Sequence, residues 1–393
     1  MLAPHYHQTS ARIMDCQSKY ILAIQDEMRL NYTSHKAKTD LGVIGKTGKL
    51  DQYGIVQHSV LCVTDSNEPL GLMDITFFDF SEFDTKTNRD HRSIQDKTRC
   101  HWIDALNKMR NRLGKCDKPI ITVADREGDF YEWLHSLVAE EEAFVIRAKH
   151  DRCVGDKFKK ENKKLWALLS EAPIKDQMEV VIQDIASREM KTTILQLKAL
   201  KITLPVPKHF TKKNCETNHY GPIQIHVVMA YNEDHEWLLL TSLPIETREQ
   251  IQEVVSIYRA RWHIEDYHKV LKTGYQVDEI YLHNSRQTIL NLLTLASISA
   301  CRLYWLIYVG RSEASIRADE LFEDFEWKSV YVYFNEKIPE ECPSLSVVIL
   351  KIARLGGYKP TKDANPPGIK TLWIGFQQFT IAAQMYRNMS MKT

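Results

Sequence analysis

No two of the eight cysteines in this chain are spaced as C-x-x-C. They stand at positions 16, 62, 100, 116, 153, 215, 301 and 342, without knuckle spacing, which argues against structural zinc. With no leader pattern at the N-terminus, they read as reduced thiols of a cytoplasmic protein. An excess of one charge is also missing: 52 Lys and Arg face 51 Asp and Glu, for a formal net charge of +1. Any nucleic-acid surface must therefore be local. Internal repeats and low-complexity tracts are absent, so a solenoid or a disordered array is not expected. One apolar run, Ile289 to Val309, is long enough to raise the question of a membrane span. Asn291, Arg302 and several hydroxyl residues interrupt it and no second run follows, so a buried helix is expected and a membrane partner is not. The chain has 393 residues, 44% hydrophobic and 26% charged, which suits a globular protein of two or three structural units.

The most informative stretch is Thr247 to Gly274. It opens on a capping box, Thr247 with Gln250, and closes on Gly274, and the spacing predicts one long helix between them. At about 100° per residue, Ile251, Val254, Val255, Tyr258 and Trp262 form an apolar stripe. By the same arithmetic Arg261, Glu265, Lys269 and Lys272 fall within roughly 80° of one another and of Tyr258. The inward face of the helix is thus expected to turn from apolar to ionic. Charges in such a place must be paired or must hold a metal or an anion. An amphipathic helix with surface ion pairs shows the same spacing, so the rest of the chain has to decide.

In chain order, the first twenty residues carry no targeting pattern and are too few for a domain. Ile21 to Asp26 reads as a short apolar strand ending on an acid. Residues 39–54 are rich in glycine and lysine and read as a loop. Val56 to Val63 and Leu70 to Phe78 form a hairpin around Asp65-Ser66-Asn67, and Thr98 to Leu113 is helical. Pro119 to Ala124 is a continuous apolar run, the mark of a strand buried on both faces, and it ends on Asp125-Arg126-Glu127-Gly128-Asp129. A helix from about Phe130 and a strand from Phe144 to Ala148 follow. From Arg147 to Lys164 there are eight Lys and Arg against three Asp and Glu, a solvated loop or a phosphate-tracking patch. Met178 to Leu240 alternates as an inserted all-β unit, and after Gly310 the chain is helical, with Pro360 to Pro367 as a linker. The order predicts an α/β fold, a mixed sheet covered by helices. Asp26 and Asp125 would each sit at the C-terminal end of a strand, where open α/β sheets gather ligands.

Three carboxylates on separate elements beside basic side chains describe a metal-dependent phosphoryl-transfer site. Hard oxygen ligands select Mg²⁺ or Mn²⁺, and two ions can activate an attacking oxygen and steady the leaving one. Glu265 would supply the third carboxylate if its helix packs across the sheet.

Tyr258, Arg261, Glu265 and Lys272 reproduce the Y-(2)-R-(3)-E-(6)-K pattern of bacterial insertion-sequence transposases with a DDE site. Asp125-Arg126-Glu127-Gly128-Asp129 resembles that family's second-aspartate motif, and Ile24-Gln25-Asp26 its first-aspartate strand. The resemblance is to the hairpin-forming cut-and-paste type of transposon five and extends into the tail, KIARLGGY and GIKTLWIGFQQF. It implies a ribonuclease-H-like core interrupted by a β subdomain and followed by a helical dimerisation region. The expected divisions are core over 1–150, β subdomain over 151–245, the glutamate-bearing part of the core over 246–310, and dimerisation region over 311–393. Asp26, Asp125 and Glu265 would hold two Mg²⁺, with Mn²⁺ as a substitute. Tyr258, Arg261, Lys269 and Lys272 would grip DNA phosphates, and Trp237 would stack on a base flipped out during hairpin formation. The expected partners are transposon-end and target DNA and a second copy in the synaptic complex, in a bacterial cytoplasm and on the nucleoid when DNA is bound. Members of this type carry a helical end-recognition domain before the first-aspartate strand, whereas Asp26 lies close to the start here. Two readings follow: a truncated but catalytic transposase, or a short form that pairs with a full-length transposase and inhibits it.

Overall fold

The computed structural model describes residues 2–34, 40–83, 94–155, 163–183, 190–211, 220–279, 285–311, 316–360 and 367–390. The chain divides into a larger unit, Tyr6–Thr33 with Leu41–Ile264, and a smaller one that includes Glu265–Thr393.

The larger unit is built on one ten-stranded mixed sheet. Its centre is β1 (Ile21–Asn31), β5 (Ile120–Ala124) and β6 (Ala143–Arg147), which run parallel and side by side. On one flank β3 (Leu50–Thr64) pairs antiparallel with β1, and both β2 (Val43–Thr47) and β4 (Pro69–Phe78) pair with β3. The segment 39–54, expected to be a loop, therefore holds β2 and the start of β3. A tight turn at Gly48, with φ of +62°, joins them. The 65–67 turn is as expected, with Asn67 in the left-handed region.

On the other flank β12 (Glu236–Thr241), β11 (Ile223–Tyr231), β10 (Met190–Leu204) and β9 (Asp176–Gln183) follow β6, each antiparallel to its neighbour. These strands of the inserted β segment do not form a sheet of their own; they continue the central one. A small separate hairpin, β7 (Cys153–Val154) and β8 (Lys163–Lys164), lies between β6 and β9 in the chain.

Pleating sends alternate residues to opposite faces. On one face Ile21, Ala23, Val60, Cys62, Ala124, Phe144, Ile146 and Leu240 share a core with Trp102, Leu106 and Met109 of α2 (Cys100–Leu113). Trp133, Leu134 and Leu137 of α3 (Tyr131–Ala139) complete that core, and α4 (Leu165–Glu171) adds Leu165 and Leu169. The opposite face presents Leu22, Ile24, Ile121, Val123, Val145, Val228 and Leu239, all buried. Across it lies α5 (Arg248–Arg259), in contact with β5, β6 and β10 to β12. Its buried Ile251, Val254, Val255 and Ile257 each contribute about 1.5–3 kcal/mol as an upper figure. The first residues of the chain form α1 (Leu2–Asp15), whose Arg12 donates to Leu70 O at 3.0 Å.

The expected long helix from Thr247 to Gly274 is broken. The capping box is present, but α5 stops at Arg259 and α6 runs from Trp262 to Lys269. Between them Arg261 N bonds to Tyr258 O, His263 N to Ala260 O and Ile264 N to Arg261 O, all three residues back. That is the tighter 3₁₀ pattern. Val270–Gly274 is then a π turn, with Tyr275 N reaching back to Val270 O at 3.2 Å. A count of 100° per residue does not hold across these joins, which is why Trp262, placed on the apolar stripe from sequence, is 55% exposed.

The smaller unit continues through α7 (Arg286–Arg311), α8 (Asp324–Tyr333), α9 (Leu345–Leu355) and α10 (Ile369–Ser390). The apolar helix α7 packs on α9 and α10, the position of a core helix. Helices α9 and α10 cross closely at Gly356 and Gly375. A Cβ on Gly375 would lie 2.0 Å from Ile352 O, and one on Gly356 would lie 1.9 Å from Thr371 O. Among the described residues the seven cysteines form no disulfide with one another, and Cys215 lies outside the described residues.

Candidate active site

The parallel pairing of the three central strands sets up one row of side chains. Gln25 is in register with Ala124, and Ala124 with Ile146. One residue further on stand Asp26, Asp125 and Arg147, on neighbouring strands about 4.8 Å apart. They share the pleat parity of Ile24 and Val123, which places all three on the α5 face. From sequence Asp26 was expected to end its strand. Instead β1 runs on to Asn31 along β3, and Asp26 marks the place where the parallel pairing with β5 stops.

The two aspartates are partly buried. Oδ1 of Asp26 accepts from Glu27 N at 2.8 Å. Oδ1 of Asp125 accepts from Glu127 N at 2.7 Å and caps the short 3₁₀ turn Arg126–Gly128. That turn needs its glycine, because a Cβ on Gly128 would come within 2.7 Å of the Trp133 ring and 2.8 Å of Ala124 Cβ.

The end of α5 closes over this row. Tyr258 is buried, with its ring edge-on to that of Trp237 at 5.7 Å. Trp237 lies near the start of β12, two residues before Leu239, the register partner of Arg147, so it occupies the same face. It is itself 8% exposed, most of its ring taken up in packing. The 3₁₀ turn after α5 carries Arg261 inward. Its Nη1 lies 3.9 Å from Asp26 Oδ2, and its guanidinium stands 5.7 Å from the Tyr258 ring centre. Mid-helix 3₁₀ turns and π turns of the kind seen here recur at functional sites.

Two residues here were not singled out from sequence, Glu27 beside the row and Arg147 within it. Glu27 follows Asp26, and its carboxylate accepts from Trp102 Nε1 at 3.0 Å. Burial first, and the Glu127 carboxylate second, push its pKa up to about 7. The other is Arg147, whose Nη2 donates to Glu236 O at 2.9 Å. The signal for Glu27 was the doubled acid after an apolar strand. Arg147 opens the basic run Arg147 to Lys164, but only the pairing of β5 with β6 brings it beside Asp125.

Glu265, Lys269 and Lys272 belong to the smaller unit. Glu265 is partly buried on α6, with Lys269 one turn on and Lys272 in the π turn. Both lysines are exposed, so the expected ionic stripe is not buried along its length.

Asp26 and Asp125 offer hard oxygens from adjacent strands, a donor set suited to Mg²⁺ or Mn²⁺. Among the described residues, Cys100, His101 and Asp104 on α2 bring three ligand atoms within 4.8 Å of one another. A thiol and an imidazole make that set too soft for the same ions.

Comparison with protein families gives two matches. The model described as transposase DDE domain matches residues 89–301, more than half of the chain. The model described as transposase Tn5 dimerisation domain matches residues 298–391. The first match covers Asp125, Trp237, Tyr258, Arg261, Glu265, Lys269 and Lys272. It begins after Asp26, whose place in the site rests on the register row.

Proposed function

This chain belongs to the insertion-sequence DDE transposases related to Tn5, and on that premise we propose that it cuts and rejoins DNA at a site formed by Asp26, Asp125 and Glu265. The observation that carries the reading is the row that sets Asp26 beside Asp125 at the end of the parallel pairing, under Arg261. The family uses a divalent metal. Two Mg²⁺ on the three carboxylates, with Mn²⁺ able to replace them, would supply an activated oxygen nucleophile and neutralise charge at the phosphate.

The residues around the carboxylates then divide the work. Arg261, held over the Tyr258 ring, and Tyr258 itself grip the phosphate next to the scissile bond. Lys269 and Lys272 hold the flanking backbone as point charges. In the first step a water oxygen bonds to phosphorus as the P–O3′ bond breaks, leaving a 3′-hydroxyl and a 5′-phosphate. In the second, that hydroxyl attacks a phosphodiester of the opposite strand, forming the hairpin and releasing the strand beyond it. Trp237 receives a base turned out of the bent duplex. The exposed stripe Ile381, Met385 and Met389 on α10, each more than 60% exposed at i, i+4 and i+8, lies in the segment matched to a dimerisation domain. It is the face proposed to meet a second copy.

The test is incubation with end-labelled DNA carrying the element's terminal repeats, with Mg²⁺, Mn²⁺ or EDTA. Metal-dependent nicks followed by hairpins support the reading. No product in either metal, with DNA bound, leaves the non-catalytic, inhibitory reading, which mixing with a transposase active on the same ends would then reveal. In a cutting preparation, Trp237→Ala should spare the nick and slow hairpin closure about 5- to 150-fold, the worth of one base stack. An equal fall in both products with a lowered Tm would assign Trp237 to the core.

A further inference from the structure

The last acid of the Asp125–Asp129 motif is not part of the register row, and its carboxylate is fully buried. Asp129 Oδ2 accepts from Lys149 N at 2.7 Å and from His150 N at 3.1 Å. Its Oδ1 pairs with the Arg152 guanidinium, and Arg152 Nη2 also donates to Asp129 O at 3.0 Å. Strand β6 ends at Arg147, so these bonds hold the chain almost as soon as the strand is finished.

The outer side of the same segment is tied separately. Asp151 Oδ1 accepts from Trp166 N at 3.1 Å, Lys164 Nζ donates to Asp151 O at 2.7 Å, and Leu165 N donates to Arg152 O at 2.9 Å. Between the two anchorages the side chains of Lys149 and His150 are exposed. A buried charge carries a large desolvation penalty, and apolar packing would fill the same space more cheaply. What a carboxylate does that packing cannot is hold two consecutive backbone N–H groups and a guanidinium in one fixed geometry.

We propose that Asp129 is a positioning residue, which locks Lys149–Arg152 against the end of β5 so that the exposed Lys149 ammonium stands beside Asp125 to meet a DNA phosphate. The proposal rests on the reading that Asp125 belongs to a DNA-cleaving site. It separates two acids four residues apart: Asp125 for the reaction, Asp129 for the loop.

Hydrogen exchange on the full chain, comparing wild type with Asp129→Asn, reads the lock without activity. Exchange at the Lys149 and His150 amides should rise roughly tenfold or more while the β5 and β6 amides keep their protection. Binding of labelled random-sequence duplex DNA should weaken roughly 5- to 10-fold, with the salt slope smaller by about one unit, the signature of one lost phosphate contact. If Asp129→Asn fails to fold, Asp129→Asn with Arg152→Gln removes the charge pair together while keeping hydrogen-bonding groups, and is expected to fold with the same two defects. Unchanged exchange overturns the lock. Faster exchange with wild-type DNA binding and salt slope leaves Asp129 purely structural and overturns the positioning role. A wild type that neither binds nor cuts DNA overturns the function itself. A wild type that does both, matched by Asp129→Asn, overturns the positioning role alone.

Discussion

Asp26 and Asp125 stand in the same row and on the same face, yet two different constructions hold them. Asp26 is in mid-strand: β1 runs through it for five more residues, and the antiparallel partner β3 fixes the backbone on both sides. Asp125 is where a strand ends: the chain turns at once into a 3₁₀ turn that its own carboxylate caps, over a glycine pressed against Trp133. One carboxylate is thus placed by a ladder of backbone bonds and the other by a turn. A strand ladder resists local change because each bond is supported by the next. A turn concentrates its stability in a few contacts and is sensitive to single substitutions.

The largest expected effect is common to both sides and tests whether they serve one reaction. Asp26→Asn and Asp125→Asn should each lower metal-dependent cleavage at least about 100-fold, since a lost ligand matters more than a lost outer partner. The amide keeps an acceptor for the backbone N–H, so Tm should stay close to wild type. Cleavage by either variant at a wild-type rate would remove that residue from the site.

Glu27 distinguishes the strand side. Its pKa is pushed up to about 7 from an ordinary 4.5, by burial first and then by Glu127, with Asp26 adding to the rise and the Trp102 N–H and Arg29 opposing it. His58 is its partner across the β1–β3 ladder. The folded chain therefore holds a proton that the unfolded chain gives up between about pH 4.5 and 7. Stability is greatest below that window and falls through it as pH rises, by on the order of 3 kcal/mol. Glu27→Gln keeps an acceptor for Trp102 and should abolish this slope. Chemical denaturation across pH in metal-free buffer measures it, and parallel curves for wild type and variant would contradict the assignment.

Gly128→Ala attacks the turn side. The added methyl meets Trp133 and Ala124, so a loss of about 1–3 kcal/mol is expected, together with slower cleavage as the Asp125 cap shifts. A variant as stable as wild type would show that the turn yields more easily than the strand. The smallest effect concerns the helix above both acids. Thr247→Ala removes the α5 cap, at a cost of about 1 kcal/mol, and should leave cleavage unchanged at temperatures well below Tm.

Much of this was legible in the chain itself. Pro119 to Ala124 has no polar residue but Thr122, which is what a strand buried on both faces requires, and it is one. The Thr247 and Gln250 capping box is where the helix begins. The Tyr258, Arg261, Glu265 and Lys272 pattern pointed to the family that the matched models identify. Where the reading failed, local pattern was extended past its reach. Residues 39–54 looked like a loop because glycine and lysine suit turns, but an edge strand such as β2 needs only a partner and tolerates both. The long helix was read straight through Ala260 and Arg261 because neither residue breaks helices.

What the sequence determined by itself is which side chains are available and which stretches must be buried, since composition and periodicity act between near neighbours in the chain. The tertiary structure decided that Asp26, Asp125 and Arg147 share one row, that the inserted strands extend the central sheet, and that Asp129 faces inward to a loop twenty residues on. Those outcomes depend on strand register. Register is chosen by burying whole faces and pairing backbone groups across distant segments, so no single stretch of the chain contains it.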